Sequence, residues 1–154
     1  MRGQLTEALK EAMKAKDQRG VSTLRLILAA IKEKDIAARA QDRCEGATNE
    51  EILGVLAKML KQRQESSETY EEAGRLDLAE QEREEMEIIQ SFMPRQLRGE
   101  EIRDACNSLV SEMQASGLKD MGRCMGELKS RYSGQMDFKE ASCIVRRLLS
   151  ESRA

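Results

Sequence analysis

The chain has 154 residues, 35% of them charged but with a formal net charge of only −2; it has two tyrosines, two phenylalanines, one proline and no histidine. So few aromatics and prolines among so many charges exclude a β-sandwich and point to long charged helices with aliphatic and methionine cores, and the near-balanced charge excludes a generic polyanion binder. Without histidine there is no Ser-His-Asp or Cys-His machinery, and four cysteines with no CxxC pair leave no metal-ligand spacing.

Leu5, Leu9, Ala12 and Met13 recur at three- and four-residue spacing and predict a first helix, interrupted at Arg19-Gly20. Leu24, Ile27, Leu28 and Ile31 form one stripe of a second helix, which ARAQDRCEGA ends. Thr48 to Glu51 reads as a capping box opening a third helix with Ile52, Leu56, Met59 and Leu60 inward. After a break at Ala73-Gly74-Arg75, an acidic fourth helix keeps Leu78, Met86, Ile89 and Met93 for burial, and Pro94 is expected to end it. Arg25, Lys32 and Arg63 are expected to make structural ion pairs with that Glu-rich helix.

Past the proline, Ile102, Cys106, Leu109, Val110 and Met113 make a fifth helix closed by Ser116-Gly117. KDMGRCMGELKSR, residues 119–131, is the sixth; a Ser133-Gly134 turn follows, and Asp137 with Glu140 can cap a seventh bearing Phe138, Ala141, Val145 and Leu148. The fold class is all-α. Residues 1–94 hold 15 Lys/Arg and 19 Asp/Glu, a net of −4, whereas residues 95–154 hold 11 and 9, a net of +2. The proline and the change of sign coincide, so the expected domains are 1–94 and 95–154, the second being the better partner for an anion.

The longest apolar run, Leu26 to Ile31, cannot span a bilayer. The first sixteen residues lack an apolar segment and carry Glu7 and Glu11, so neither a signal nor a transit peptide is expected, and the reading is cytoplasmic with reduced thiols. No membrane partner is expected. The acidic run EQEREEMEIIQ has no fixed ligand spacing and reads as solvated surface.

Glycine inside a helix costs about 0.5–1 kcal/mol relative to alanine, so the two glycines of the sixth helix need a reason. At 100° per residue from Lys119, Met121, Met125, Leu128 and Tyr132 fall at about 200°, 240°, 180° and 220°, a buried stripe. On the same wheel Gly122 falls at about 300° and Gly126 at about 340°, among Lys119, Ser130, Arg123 and Lys129 at about 0°, 20°, 40° and 280°. Glycines flanked by cations on an exposed face would let a sugar-phosphate backbone approach the main chain; packing against the amino-terminal domain is the other use of such a face. Candidate RNA-binding residues are therefore Lys119, Gly122, Arg123, Gly126, Lys129 and Ser130. Lys139, Arg146 and Arg147 form a secondary basic patch on the last helix that a solvated face would also explain. No catalytic residue, metal ligand or cofactor site is identified.

STLRLILAAIK (22–32), KQRQES (61–66), YEEAGRLDLAEQE (70–82), MPRQL (93–97) and KDMGRCMGEL (119–128) together resemble the YqeY family over nearly the whole chain. The carboxyl-terminal part of that family is similar to the tail of the B subunit of the tRNA-dependent amidotransferase. The resemblance implies an elongated amino-terminal helical unit joined to a compact three-helix tail. It also implies recognition of a tRNA body through the positions here held by Lys119, Gly122, Arg123, Met125 and Gly126. A carbon–nitrogen ligase label with glutamine as amido-nitrogen donor would attach to such a chain through the tail alone, since 154 residues hold no counterpart of the catalytic cradle. The expected function is a non-catalytic accessory protein binding tRNA or structured RNA, with a protein-interaction adaptor docking on a translation or amidation complex as the alternative.

Overall fold

The structure, a computed structural model, describes residues 1–151, which contain seven α-helices and no strand. They are α1 (Arg2–Lys14), α2 (Gln18–Arg39), α3 (Asn49–Glu72), α4 (Leu76–Gln90), α5 (Gly99–Glu112), α6 (Met121–Arg131) and α7 (Phe138–Glu151), with a 3-10 turn at Leu118–Asp120. The chain divides into two compact units, Met1–Pro94 and a second beginning at Arg95.

In the first unit, Leu5 of α1, Leu24, Ile27 and Ile31 of α2, Ile52, Leu56 and Met59 of α3 and Ile89 of α4 share one core. Each fully buried aliphatic side chain contributes about 1.5–3 kcal/mol. Met13, placed inward by the periodicity, is 52% exposed at the end of α1. The break between the first two helices lies upstream of its expected place. Asp17 caps α2 by accepting from the Gly20 amide at 3.0 Å, so Arg19-Gly20 belongs to the first turn of α2. At the start of α3 the capping box forms in full: Thr48 Oγ1 accepts from the Glu51 amide at 3.2 Å and Glu51 Oε2 from the Thr48 amide at 2.8 Å.

Ion pairs join the remaining polar surface. Arg2 grips Asp35 through two 2.6 Å hydrogen bonds and donates a third, of 2.8 Å, to the Ala47 carbonyl. Asp35 Oδ1 also accepts from the Ala47 amide at 2.8 Å, and Gly46, at φ +81°, leaves it room: a Cβ there would lie 2.6 Å from that oxygen. Arg63 on α3 pairs with Glu85 on α4 at 2.9 Å, both side chains only about an eighth exposed, and Arg83 pairs with Glu71. Of the three cations expected to engage α4, Arg63 does so; Arg25 and Lys32 make no ion pair among the described residues, and Arg19 instead reaches Glu84 at 3.1 Å. α4 ends at Gln90, before Pro94, as Ser91, Phe92 and Met93 close its last turn. The proline therefore follows the helix end.

The second unit packs Ile102, Cys106 and Leu109 of α5, Cys124 and Leu128 of α6, and Ala141, Ile144, Val145 and Leu149 of α7 into its own core. Its amino-terminal strap is fastened to the α6–α7 turn by the Leu97 amide, which donates to the Gln135 carbonyl at 2.6 Å. Asp137 caps α7, accepting from the Lys139 amide at 2.8 Å; Glu140 makes no such bond among the described residues.

Candidate nucleic-acid interface

Between α5 and α6 the chain turns through Gln114 at φ +50° and enters the 3-10 turn, which continues into α6. Lys119 thus sits one turn ahead of the α-helix, on exposed surface, and its position on an α-helical wheel does not apply. Inside α6 the fully buried residues are Cys124 and Leu128, with Met121, Met125 and Tyr132 partly buried against the same core. The inward face is centred nearer Cys124 than the methionine stripe implied, because the sulfhydryl packs as a small hydrophobe.

That rotation strengthens the placement of the glycines. Gly126 stands two residues from both Cys124 and Leu128, about 200° away on the helix, directly opposite the core. Gly122 and Gly126 are both exposed, and a Cβ built on either meets no atom within 4 Å. Lys129 and Ser130 are exposed beside them, and neither Lys119 nor Lys129 makes an ion pair among the described residues.

Arg123 differs from the other candidates. Its guanidinium donates to the Met113 carbonyl at 3.2 Å, closing the end of α5, and to Asp120 Oδ1 at 3.4 Å. Asp120 in turn accepts from the Ser116 amide at 3.1 Å. So Arg123 holds the α5–α6 connection as well as lying on the exposed face. Farther round the helix Arg131 spans Glu112 and Glu127 at 2.7 Å each, and those two carboxylates drive its guanidinium pKa upward. The same contact holds the Glu112 carboxyl below its usual range. Asp120, Glu112 and Glu127 are therefore engaged by arginines, not by the lysines beside the glycines.

The secondary patch divides. Arg147 joins Arg103 of α5, with Glu140, Cys143 and Ile144, around a concavity of 110 Å³. Lys139 and Arg146 are exposed outside it. Arg103 is the residue that sequence reasoning missed: it is 44 positions from Arg147, and no local spacing links them. Cys106 and Cys124 are fully buried, and burial pushes the Cys106 thiol up to about 11 and raises that of Cys124. Cys44 and Cys143 are exposed free thiols. Among the described residues no three His, Cys, Asp or Glu side chains are grouped to hold a metal, and no helix is long and apolar enough to cross a membrane.

Residues 2–149 match a protein-family model described as "Yqey-like protein". Several curated fungal proteins named "Altered inheritance of mitochondria protein 41, mitochondrial" are similar to this chain. That of Clavispora lusitaniae is 36% identical over 110 residues, 70% of this chain and 61% of the relative. That of Eremothecium gossypii is 37% identical over 89 residues, 58% of this chain and 46% of the relative. That of Saccharomyces cerevisiae (strain YJM789) is 34% identical over 85 residues, 55% of this chain and 44% of the relative. The matched stretch thus spans about half the length of these curated relatives.

Proposed function

The chain belongs to the Yqey-like protein family, and on that premise we propose that it is an accessory protein whose second unit binds the sugar-phosphate backbone of tRNA or another structured RNA. The observation that carries the reading is the outer face of α6, where Gly122 and Gly126 leave the main chain uncovered between Lys119 and Lys129. A backbone phosphate can approach such a surface closely, and unpaired lysines neutralise it with release of counterions. The resemblance of this segment to the amidotransferase tail supports the same reading. Base stacking has no part in it: Tyr132 and Phe138, the unit's two aromatics, pack against its core, so recognition rests on backbone and shape. We assign the protein no reaction of its own, and the cytoplasmic setting is part of the proposal, to be checked by fractionation because the named relatives are mitochondrial.

Titration of the full chain with total tRNA at several salt concentrations tests this. With a few phosphates contacted, log affinity should fall against log salt with a slope of about 2 to 4, and Lys119→Ala or Lys129→Ala should each lower the slope by about 1. Binding that ignores salt, or that heparin matches, overturns the reading. Salt-independent capture of a protein partner would favour the adaptor role.

A further inference from the structure

The tail carries a second basic feature on other helices. Arg103 of α5 and Arg147 of α7 line one 110 Å³ concavity with Cys143, Ile144 and Glu140. That volume holds a few waters or one phosphate group. Neither guanidinium makes an ion pair or a hydrogen bond to another described residue, unlike those of Arg95, Arg123 and Arg131 of the same unit. Two exposed guanidiniums from separate helices line one concavity with their donors unspent on carboxylates, so both are open to a shared anion. Their planar donor forks suit the oxygens of a phosphate better than a lysine would. Glu140 is the one acidic group lining the concavity, so two positive charges face one negative, and Lys139 and Arg146 of α7 add to the surrounding positive field.

We propose that the Arg103–Arg147 cleft binds a backbone phosphate of the same RNA, as an anchor distinct from the glycine face of α6. The proposal rests on the RNA-binding reading of this unit. The exposed Cys143 thiol at the cleft reports its occupancy without any substitution. Native full-length protein is alkylated with iodoacetamide in the presence and absence of total tRNA, and each cysteine peptide is quantified by mass spectrometry. Cys44, exposed on the first unit, is the internal control, and the buried Cys106 and Cys124 should stay unmodified.

The expected result is several-fold protection of Cys143 by tRNA with Cys44 unchanged. Arg103→Gln with Arg147→Gln should abolish that protection and lower the salt slope of tRNA binding by about 1.5–2, with the thermal melt unmoved because neither side chain has a partner to lose. If tRNA binds but Cys143 stays unprotected and the double variant binds with the parental slope, the cleft proposal fails and the α6 reading stands. If tRNA does not bind at all, both fail together. Protection that survives in the double variant also overturns the cleft, since the RNA would then cover Cys143 without those arginines.

Discussion

The two units spend their arginines differently. In residues 1–94, Arg2, Arg19, Arg43, Arg63, Arg75 and Arg83 each hold a carboxylate and only Arg25 and Arg39 have no ion pair among the described residues, so a net-acidic unit turns most of its arginines into internal fastenings. In the second unit Arg95, Arg123 and Arg131 do the same, while Arg98, Arg103, Arg146 and Arg147 have no ion pair among the described residues, and neither do Lys119, Lys129 and Lys139. A net of −4 against +2 understates that contrast. Net charge is a weak guide to binding; the share of arginines left without a carboxylate is a better one.

The sharpest way to break the comparison is Gly126→Leu. With open space where the Cβ would go, leucine fits and is the better helix former, so the melt should hold or rise by about 0.5–1 kcal/mol. Binding of tRNA should nonetheless fall by at least about tenfold, or ~1.4 kcal/mol, because a side chain fills the space a phosphate backbone would enter. A destabilised variant that binds normally would make these glycines a packing device. The reverse experiment belongs to the first unit. Arg63→Ala strands Glu85, and also Glu82, whose carboxyl is raised by burial and by Glu85 and lowered by Arg63. A loss of about 2 kcal/mol in a denaturant titration is expected, with tRNA affinity unchanged. Weakened RNA binding by a stably folded Arg63 variant would show that the first unit takes part.

Much of this contrast was legible in the sequence, and the parts that were not share a cause. The capping box at Thr48–Glu51, the apolar stripe of α2 and the outward glycines of α6 all follow from spacings within a few residues. Asp17 is hidden as α2's cap because the Gly20 it serves reads locally as a break. Cys124 escapes the buried face drawn from periodicity because a thiol weighs less in such a pattern than a methionine. The tie from Arg123 to Met113 and the meeting of Arg103 with Arg147 depend on how the chain turns between helices, which no local pattern encodes.

Acid sharpens the comparison from the other side. Arg2 and the Ala47 amide lower the Asp35 carboxyl from 3.8 to about 2, and Arg43 with the Thr48 amide lowers Glu51 to about 2. A depressed carboxylate stabilises the fold while it is ionised. That stabilisation is complete above the unfolded value of about 4 and is lost as pH falls toward 2. Melts between these pH values should therefore show stability draining away, and Asp35→Asn should flatten part of the drop while starting from a less stable protein at neutral pH. An unchanged slope in that variant would mean that the Arg2 clasp is not an acid-sensitive fastening.

The smallest expected effect decides the status of Arg123, which belongs to both sides of the contrast. Its bonds to Met113 and Asp120 are fastenings of the kind that fill the first unit, yet its side chain is 57% exposed on the candidate RNA face. Arg123→Gln should cost about 0.5–1 kcal/mol, a modest figure for a solvent-screened pair and one carbonyl bond. If Arg123 also meets phosphate, the salt slope of tRNA binding should fall by about 1, as for Lys129. Lys129→Gln supplies the reference, since Lys129 has no ion pair to lose and should change the slope without moving the melt. A stability loss in the Arg123 variant with the slope untouched would make it a brace for the α5–α6 connection alone, and the binding face would then consist of the two glycines and the lysines beside them.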